Sequence, residues 1–206
     1  MIIGFSGSSG SGKSTTVQDV AFLLQEKGAR VRVVDEVTQR LFDMYSLVYK
    51  VRSLQELREK EDLYLLFEQD WLNIHLEEIN RRQEKGCILL CDRTAFDVLP
   101  YLLLHCRRSA DPLVFDKLID KLRRISEDPP YNVIFYFPAL KTAFENKHPV
   151  RAPEDLLTRE AQGYLLKSFL PQELTVPVAT QDRVERAGFI SFCIERWMRE
   201  RAGKSA

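Results

Sequence analysis

The chain has 206 residues, and Lys+Arg and Asp+Glu number 30 each, so its formal net charge is zero. That balance gives no footing for a long polyanionic partner, while the length suits one domain with a substantial core and room for a small lid. No apolar run approaches the roughly 20 residues that cross a bilayer, and the apolar start stops at Phe5, too short for a secretory leader; a cytoplasmic protein without a membrane segment is expected.

Met1–Phe5 reads as a short buried strand, and from Thr15 to Leu24 the apolar residues fall at helical spacing. Between them lies Gly7-Ser8-Ser9-Gly10-Ser11-Gly12-Lys13-Ser14, a complete G-x-x-x-x-G-K-[ST] phosphate loop in the strand-to-helix context that the motif requires. Glycine suits a loop whose backbone comes close to phosphate oxygens, so that successive N–H groups, with that of Thr15, converge on an anion at a helix N-terminus. Lys13 is expected on the β- and γ-phosphates of ATP, and the Ser14 hydroxyl on Mg²⁺.

The first helix should end near Gly28, and Val31–Val34 reads as a second strand that delivers Asp35 and Glu36 to its C-terminal end, where open α/β sheets bind ligands. Signals over residues 37–51 are mixed. Ser53-Leu54-Gln55-Glu56 opens a helical stretch, one helix or two nearly continuous ones, that carries Leu57, Tyr64, Phe67, Trp71 and Ile74 until Gly86. That aromatic stripe reads as core, with Gln69 and Asp70 as candidate pocket residues.

Cys87-Ile88-Leu89-Leu90-Cys91 is an apolar run suited to a central parallel strand, and Asp92, which ends it, fits the acid expected to hold Mg²⁺ opposite a phosphate loop. Helices are expected over 94–105 and from Asp111-Pro112, a loop over 126–130, and a buried strand over 133–137 closed by Pro138. Residues 141–160 carry Lys141, Lys147, His148, Arg151 and Arg159 with little apolar content, the composition of a lid over phosphates. Residues 174–179 read as a last strand, at an edge because of Pro177; 182–199 form a closing helix, and a frayed tail follows. The four cysteines form no C-x-x-C pair, so free thiols are expected rather than zinc ligands, and the three histidines have no metal or triad spacing.

Strand and helix alternate throughout, which predicts an α/β fold: a five-stranded parallel sheet with helices on both faces, in a single domain. Asp92-Arg93-Thr94-Ala95-Phe96-Asp97 resembles the Asp-Arg-x-x-x-Asp segment of AAA-type domains related to ribosylnicotinamide kinase. The Asp-Arg pair is also similar to that of thymidylate kinases and to the Glu-Arg-Ser segment of deoxynucleoside kinases. The resemblance implies a P-loop NTPase fold with strand order 2-3-1-4-5, and a kinase that moves the γ-phosphoryl of ATP to the hydroxyl of a nucleoside, nucleotide or related ribosylated acceptor. It places the catalytic base at Asp35 or Glu36, with Arg93 on the acceptor or the moving phosphoryl, and the lid reading adds Arg151. The chain departs from the first group, which often has Glu-x-x-Arg after the second strand, since Glu36 and Arg40 are four apart. Two alternatives stand beside this reading: an NTP-hydrolysing ATPase acting on a protein partner, and a module that only senses ATP.

Overall fold

The computed structural model describes residues 1–106, 111–139 and 156–203. Five parallel strands, β1 (Ile2–Gly7), β2 (Val31–Val34), β3 (Ile88–Asp92), β4 (Val133–Phe137) and β5 (Thr175–Pro177), form one sheet in the order β2-β3-β1-β4-β5. The expected architecture and strand order are therefore observed. β1, β3 and β4 are buried at every position, as apolar strands covered on both faces must be. Their side chains alternate between two cores. Ile3, Phe5, Leu90 and Phe135 meet α1 (Lys13–Glu26) and α8 (Arg183–Gly203); Ile2, Leu89, Cys91 and Ile134 meet the other side, with Leu166 of α7 (Leu156–Phe169) and Leu170 just after it.

Several boundaries differ from the sequence reading. β1 runs on to Gly7 because Ser6 and Gly7 still pair with Tyr136 and Phe137, so the phosphate loop springs directly from the sheet. Residues 38–49, where the signals were mixed, form α2 (Thr38–Tyr49): Leu41, Phe42 and Tyr45 are buried, but Met44, Leu47 and Val48 are exposed, and apolar residues on both faces blur the period. The stretch after Ser53 is two helices, α3 (Leu54–Glu59), capped by the Ser53 hydroxyl, and α4 (Glu61–Arg82). Residues 94–105 begin with a 3₁₀ turn over Ala95–Asp97 before α5 (Val98–His105), because Thr94 and Asp97 close on one another as a capping box. α6 (Pro112–Glu127) starts as expected, with Asp111 accepting from Val114 N–H. β5 is an edge strand, shorter than the sequence suggested. α8 continues to Gly203, into the tail expected to fray, and an Arg196–Glu200 ion pair one turn apart supports its end.

Gly28 takes a left-handed φ of 80° beyond α1, and the N–H groups of Gly28 and Ala29 return to the carbonyls of Gln25 and Leu24. The aromatic stripe of α4 is core: Tyr64, Phe67 and Trp71 pack with α2, α3, α5 and α6 in a third apolar cluster beside the sheet. That cluster reaches the C-terminal edge of the strands, and the two features of the site meet there.

Candidate functional site

At the end of β1 the loop turns through Gly10 and Gly12, with φ of 70° and 85°, values that a side chain would strain. Lys13 folds back over this turn. Its Nζ donates to the carbonyls of Gly7 (2.7 Å) and Ser8 (2.8 Å) and lies 3.4 Å from Ser11 Oγ. The charge is thereby held within the loop, at the N-terminus of α1. On the far side Arg186 of α8 donates to Ser11 O at 3.2 Å and lies over the Phe137 ring, a support for the loop that the sequence reading missed.

β3 ends beside the loop at Asp92, whose carboxyl hydrogen-bonds Ser14. Burial raises the Asp92 pKa, against the pull of the Ser14 hydrogen bond and of Lys13 and Arg93. Among the described residues its Oδ1 is buried without a hydrogen-bond partner. An acid with an orphaned oxygen, next to the phosphate-loop hydroxyl, is a donor set that fits a hard divalent cation such as Mg²⁺. Ser14 and Asp92, the two expected metal ligands, are thus brought together.

Asp97 anchors this edge. It accepts from the Ser6 hydroxyl (2.8 Å), Gly7 N–H (3.3 Å) and Thr94 N–H (2.8 Å), and it ties the end of β1 to the turn after β3. The backbone between Asp92 and Thr94 reverses through Arg93 at φ 95°, an uncommon conformation for a residue with a Cβ. The strained turn directs Arg93 inward. Its Nε lies 2.6 Å from Glu36 Oε1, and its guanidinium rests over the Tyr101 ring. Burial works against the Arg93 cation, but Tyr101, Asp97 and Asp92 around it outweigh that effect and raise its pKa.

Glu36 is fixed from both sides, since it also accepts from Thr38 Oγ1 (2.9 Å), which in turn accepts from Trp71 Nε1 (3.1 Å). Asp35, one residue earlier and likewise past the end of β2, is exposed, and only Glu36 joins the site. Arg40 lies 4.0 Å from Glu78 instead of reaching this edge. Arg151, Lys141, Lys147 and His148, and most of the expected lid, lie outside the described residues. Residues 156–160 open α7, where Arg159 is buried.

A pocket opens beside Arg93. Ser9 of the phosphate loop forms one wall, Tyr64, Phe67, Trp71 and Tyr101 supply aromatic surface, and Glu68, Arg58, Asp97 and Thr38 supply polar groups. Gln69 and Asp70, the sequence candidates, do not line it; Asp70 accepts from Tyr45 at 2.7 Å. The acid that α4 gives to the pocket is Glu68. Four residues from Tyr64 and three from Trp71, it shares their buried face, whereas each step along a helix turns about 100° away from it. The helical period would have found it. Burial raises Glu68 to about 7, against a hydrogen bond from Tyr64 and the charges of Arg93 and Arg58.

A family model described as an AAA domain matches residues 2–186. The chain belongs to this AAA domain family. No curated protein matches the sequence. Among solved structures, the AAA domain resembles the NadR protein in complex with NR, at 18% identity and a TM-score of 0.60, over 95% of this chain and 48% of that one. It resembles deoxyadenosine kinase from M. mycoides with bound dATP at 14% identity and a TM-score of 0.59, over 95% and 99% of the two chains. The same kinase with products dcmp and a flexible dcdp bound gives 14% identity and a TM-score of 0.61, over 95% and 100%. The chain spans about half the length of the NadR protein. At these identities the likeness establishes the fold, that of P-loop kinases. Among the described residues no helix of the AAA domain is long and apolar enough to cross a membrane.

Proposed function

We propose that this AAA domain is an ATP-dependent kinase that transfers the γ-phosphoryl group to a hydroxyl of a small ribosylated acceptor, a nucleoside or nucleotide in type. The supporting observation is that Ser9 belongs both to the phosphate loop and to the wall of the aromatic pocket, so an acceptor in the pocket lies next to a triphosphate in the loop. Solved neighbours that are named as a kinase or hold nucleotides agree with this reading.

In this mechanism the loop amides and Lys13 bind the donor phosphates and neutralise charge on the transferring group. Ser14 and Asp92 would hold Mg²⁺, which would supply further neutralisation of phosphate charge. Glu36 accepts the proton of the acceptor hydroxyl at a carboxylate oxygen; Thr38 and Arg93 orient it, and Arg93 faces the moving phosphoryl. Pocket aromatics hold the acceptor ring and exclude water from the transfer.

The test is ADP release measured with ATP alone and with a panel of nucleosides, nucleotides and ribosylated vitamin precursors. A kinase shows release that rises steeply with one acceptor and yields the phosphorylated product by mass. Steady release that no acceptor changes replaces this reading with an ATPase acting on a protein, and tight ATP binding without release replaces it with a sensor.

A further inference from the structure

The inner end of the pocket holds an acid where a hydrocarbon would pack at lower cost. Glu68 is 6% exposed, sits on the same helical face as Tyr64, Phe67 and Trp71, and is turned into the pocket. Resting on the kinase reading above, we infer that Glu68 selects the acceptor, by pairing with an uncharged planar ring that carries a hydrogen-bond donor next to an acceptor on one edge.

Aromatic side chains from α4 and α5 leave room for a flat ring, and a ring held by its faces can be distinguished only at its edge. Glu68 meets that edge. Tyr64, one helical turn earlier, bonds to the Glu68 carboxyl, and a carboxyl has about four lone-pair sites, more than one hydroxyl uses. As a carboxylic acid, Glu68 offers one O–H and one lone pair side by side, the complement of an amine beside a ring nitrogen. As a carboxylate it offers lone pairs only, and an edge with an acceptor is repelled.

Burial favours the acid, against the hydrogen bond from Tyr64 and two guanidiniums that favour the carboxylate. Facing Glu68 are Arg58 from α3, Arg93 after β3, Tyr64 on its own helix and Cys106 at the end of α5. The guanidiniums remain charged, Tyr64 is raised well above its usual value, and burial pushes the Cys106 thiol up to about 12. Asp97, also on the pocket wall, is committed to Ser6, Gly7 and Thr94. Glu68 itself, raised to about 7, is the member of this group that exchanges a proton near neutrality. With two guanidiniums nearby, a cationic ring is disfavoured unless Glu68 is ionised, so neutral and cationic acceptors have opposite pH trends.

Calorimetric binding of adenosine, cytidine, purine riboside and nicotinamide riboside to the full chain saturated with ADP, at pH 6, 7 and 8, tests this. Purine riboside lacks the exocyclic amine, and nicotinamide riboside carries a cationic ring. Adenosine or cytidine is expected to bind at least about tenfold more tightly than purine riboside at pH 6, and to weaken about fivefold between pH 7 and pH 8. Glu68→Gln, which keeps a donor and an acceptor, should retain the preference and lose the pH dependence. Glu68→Leu should lose the preference while ADP binding and the thermal melt remain. Equal binding of purine riboside, an unaffected Glu68→Leu variant, or nicotinamide riboside as the tight ligand with affinity rising above pH 7 overturns the inference and leaves the kinase reading standing. ADP binding with none of the four acceptors bound removes both.

Discussion

Glu36 Oε1 and Arg93 Nε lie 2.6 Å apart, although they close different strands and are separated by the whole α2–α4 segment. The pair is nearly buried, and Thr38 and Tyr101 complete its surroundings. An exposed ion pair is worth little, but a buried one leaves an uncompensated charge when either side is removed. If Glu36 is the base, Glu36→Gln should reduce acceptor-dependent transfer by roughly 10²–10⁴-fold with ATP affinity nearly unchanged. Asp35→Asn, at an exposed position, should stay near the parent. Single-turnover transfer and separate ATP titrations measure both; full transfer in Glu36→Gln assigns the base elsewhere.

Removing the loop ammonium has a different signature. Lys13→Ala should lower turnover by about 10²–10³-fold or more, since Lys13 is the cation held within the loop. The thermal melt should fall by no more than the two buried hydrogen bonds to the Gly7 and Ser8 carbonyls account for, with the fold kept. Steady-state rates compared with melts decide it, and an active variant would refute the phosphate-loop reading.

For the metal, the informative change is Asp92→Asn, which preserves shape while removing the charge beside Ser14. Activity should fall by at least about tenfold, and half-saturation should require more Mg²⁺. A titration of rate against Mg²⁺ with the same half-saturation in both proteins would leave Asp92 as a strand-end acid.

Asp97 is predicted to matter first for stability. Asp97→Ala leaves the Ser6 hydroxyl and the Gly7 and Thr94 N–H groups without their buried acceptor, at a cost of at least about 2 kcal/mol. Urea denaturation gives the loss directly. The apparent KM for ATP should rise with it, because the same carboxylate fixes where the phosphate loop begins.

Two buried groups give stability opposite pH dependences. Burial raises Glu68 from 4.5 to about 7, so its contribution is full below pH 4.5 and is lost as pH rises through about 7. Burial, with Arg93, lowers His75 from 6.5 to about 3, so its contribution is present above pH 6.5 and is lost as pH falls toward 3. The two oppose each other between pH 4.5 and 6.5. Glu68→Gln should therefore gain stability relative to the parent on going from pH 5 to pH 8, by up to about 3 kcal/mol. Denaturant melts at the two pH values test the sign; a constant difference would show that Glu68 does not titrate in that range.

What the sequence determined by itself was whatever depends on local spacing. The phosphate loop, the apolar runs of β1, β3 and β4, the Gly28 stop and the Ser53 and Asp111 caps each follow from residues within a few positions of one another, and the backbone there has few alternatives. Tertiary structure decided which residues meet. Asp35 and Glu36 are equivalent as sequence, and only the direction in which β2 ends brings one of them to Arg93 and exposes the other. Asp97 becomes an anchor because parallel pairing of β1 with β3 places Phe5 opposite Asp92, and Ser6 and Gly7 then lie beside the turn that follows. Glu68 is one polar residue among several on a long helix until α2, α3 and α5 close around its aromatic neighbours, and burial then sets its proton affinity. Long-range pairing fixes the relative position of strand ends, and desolvation depends on everything packed around a group; neither is present in a window of sequence.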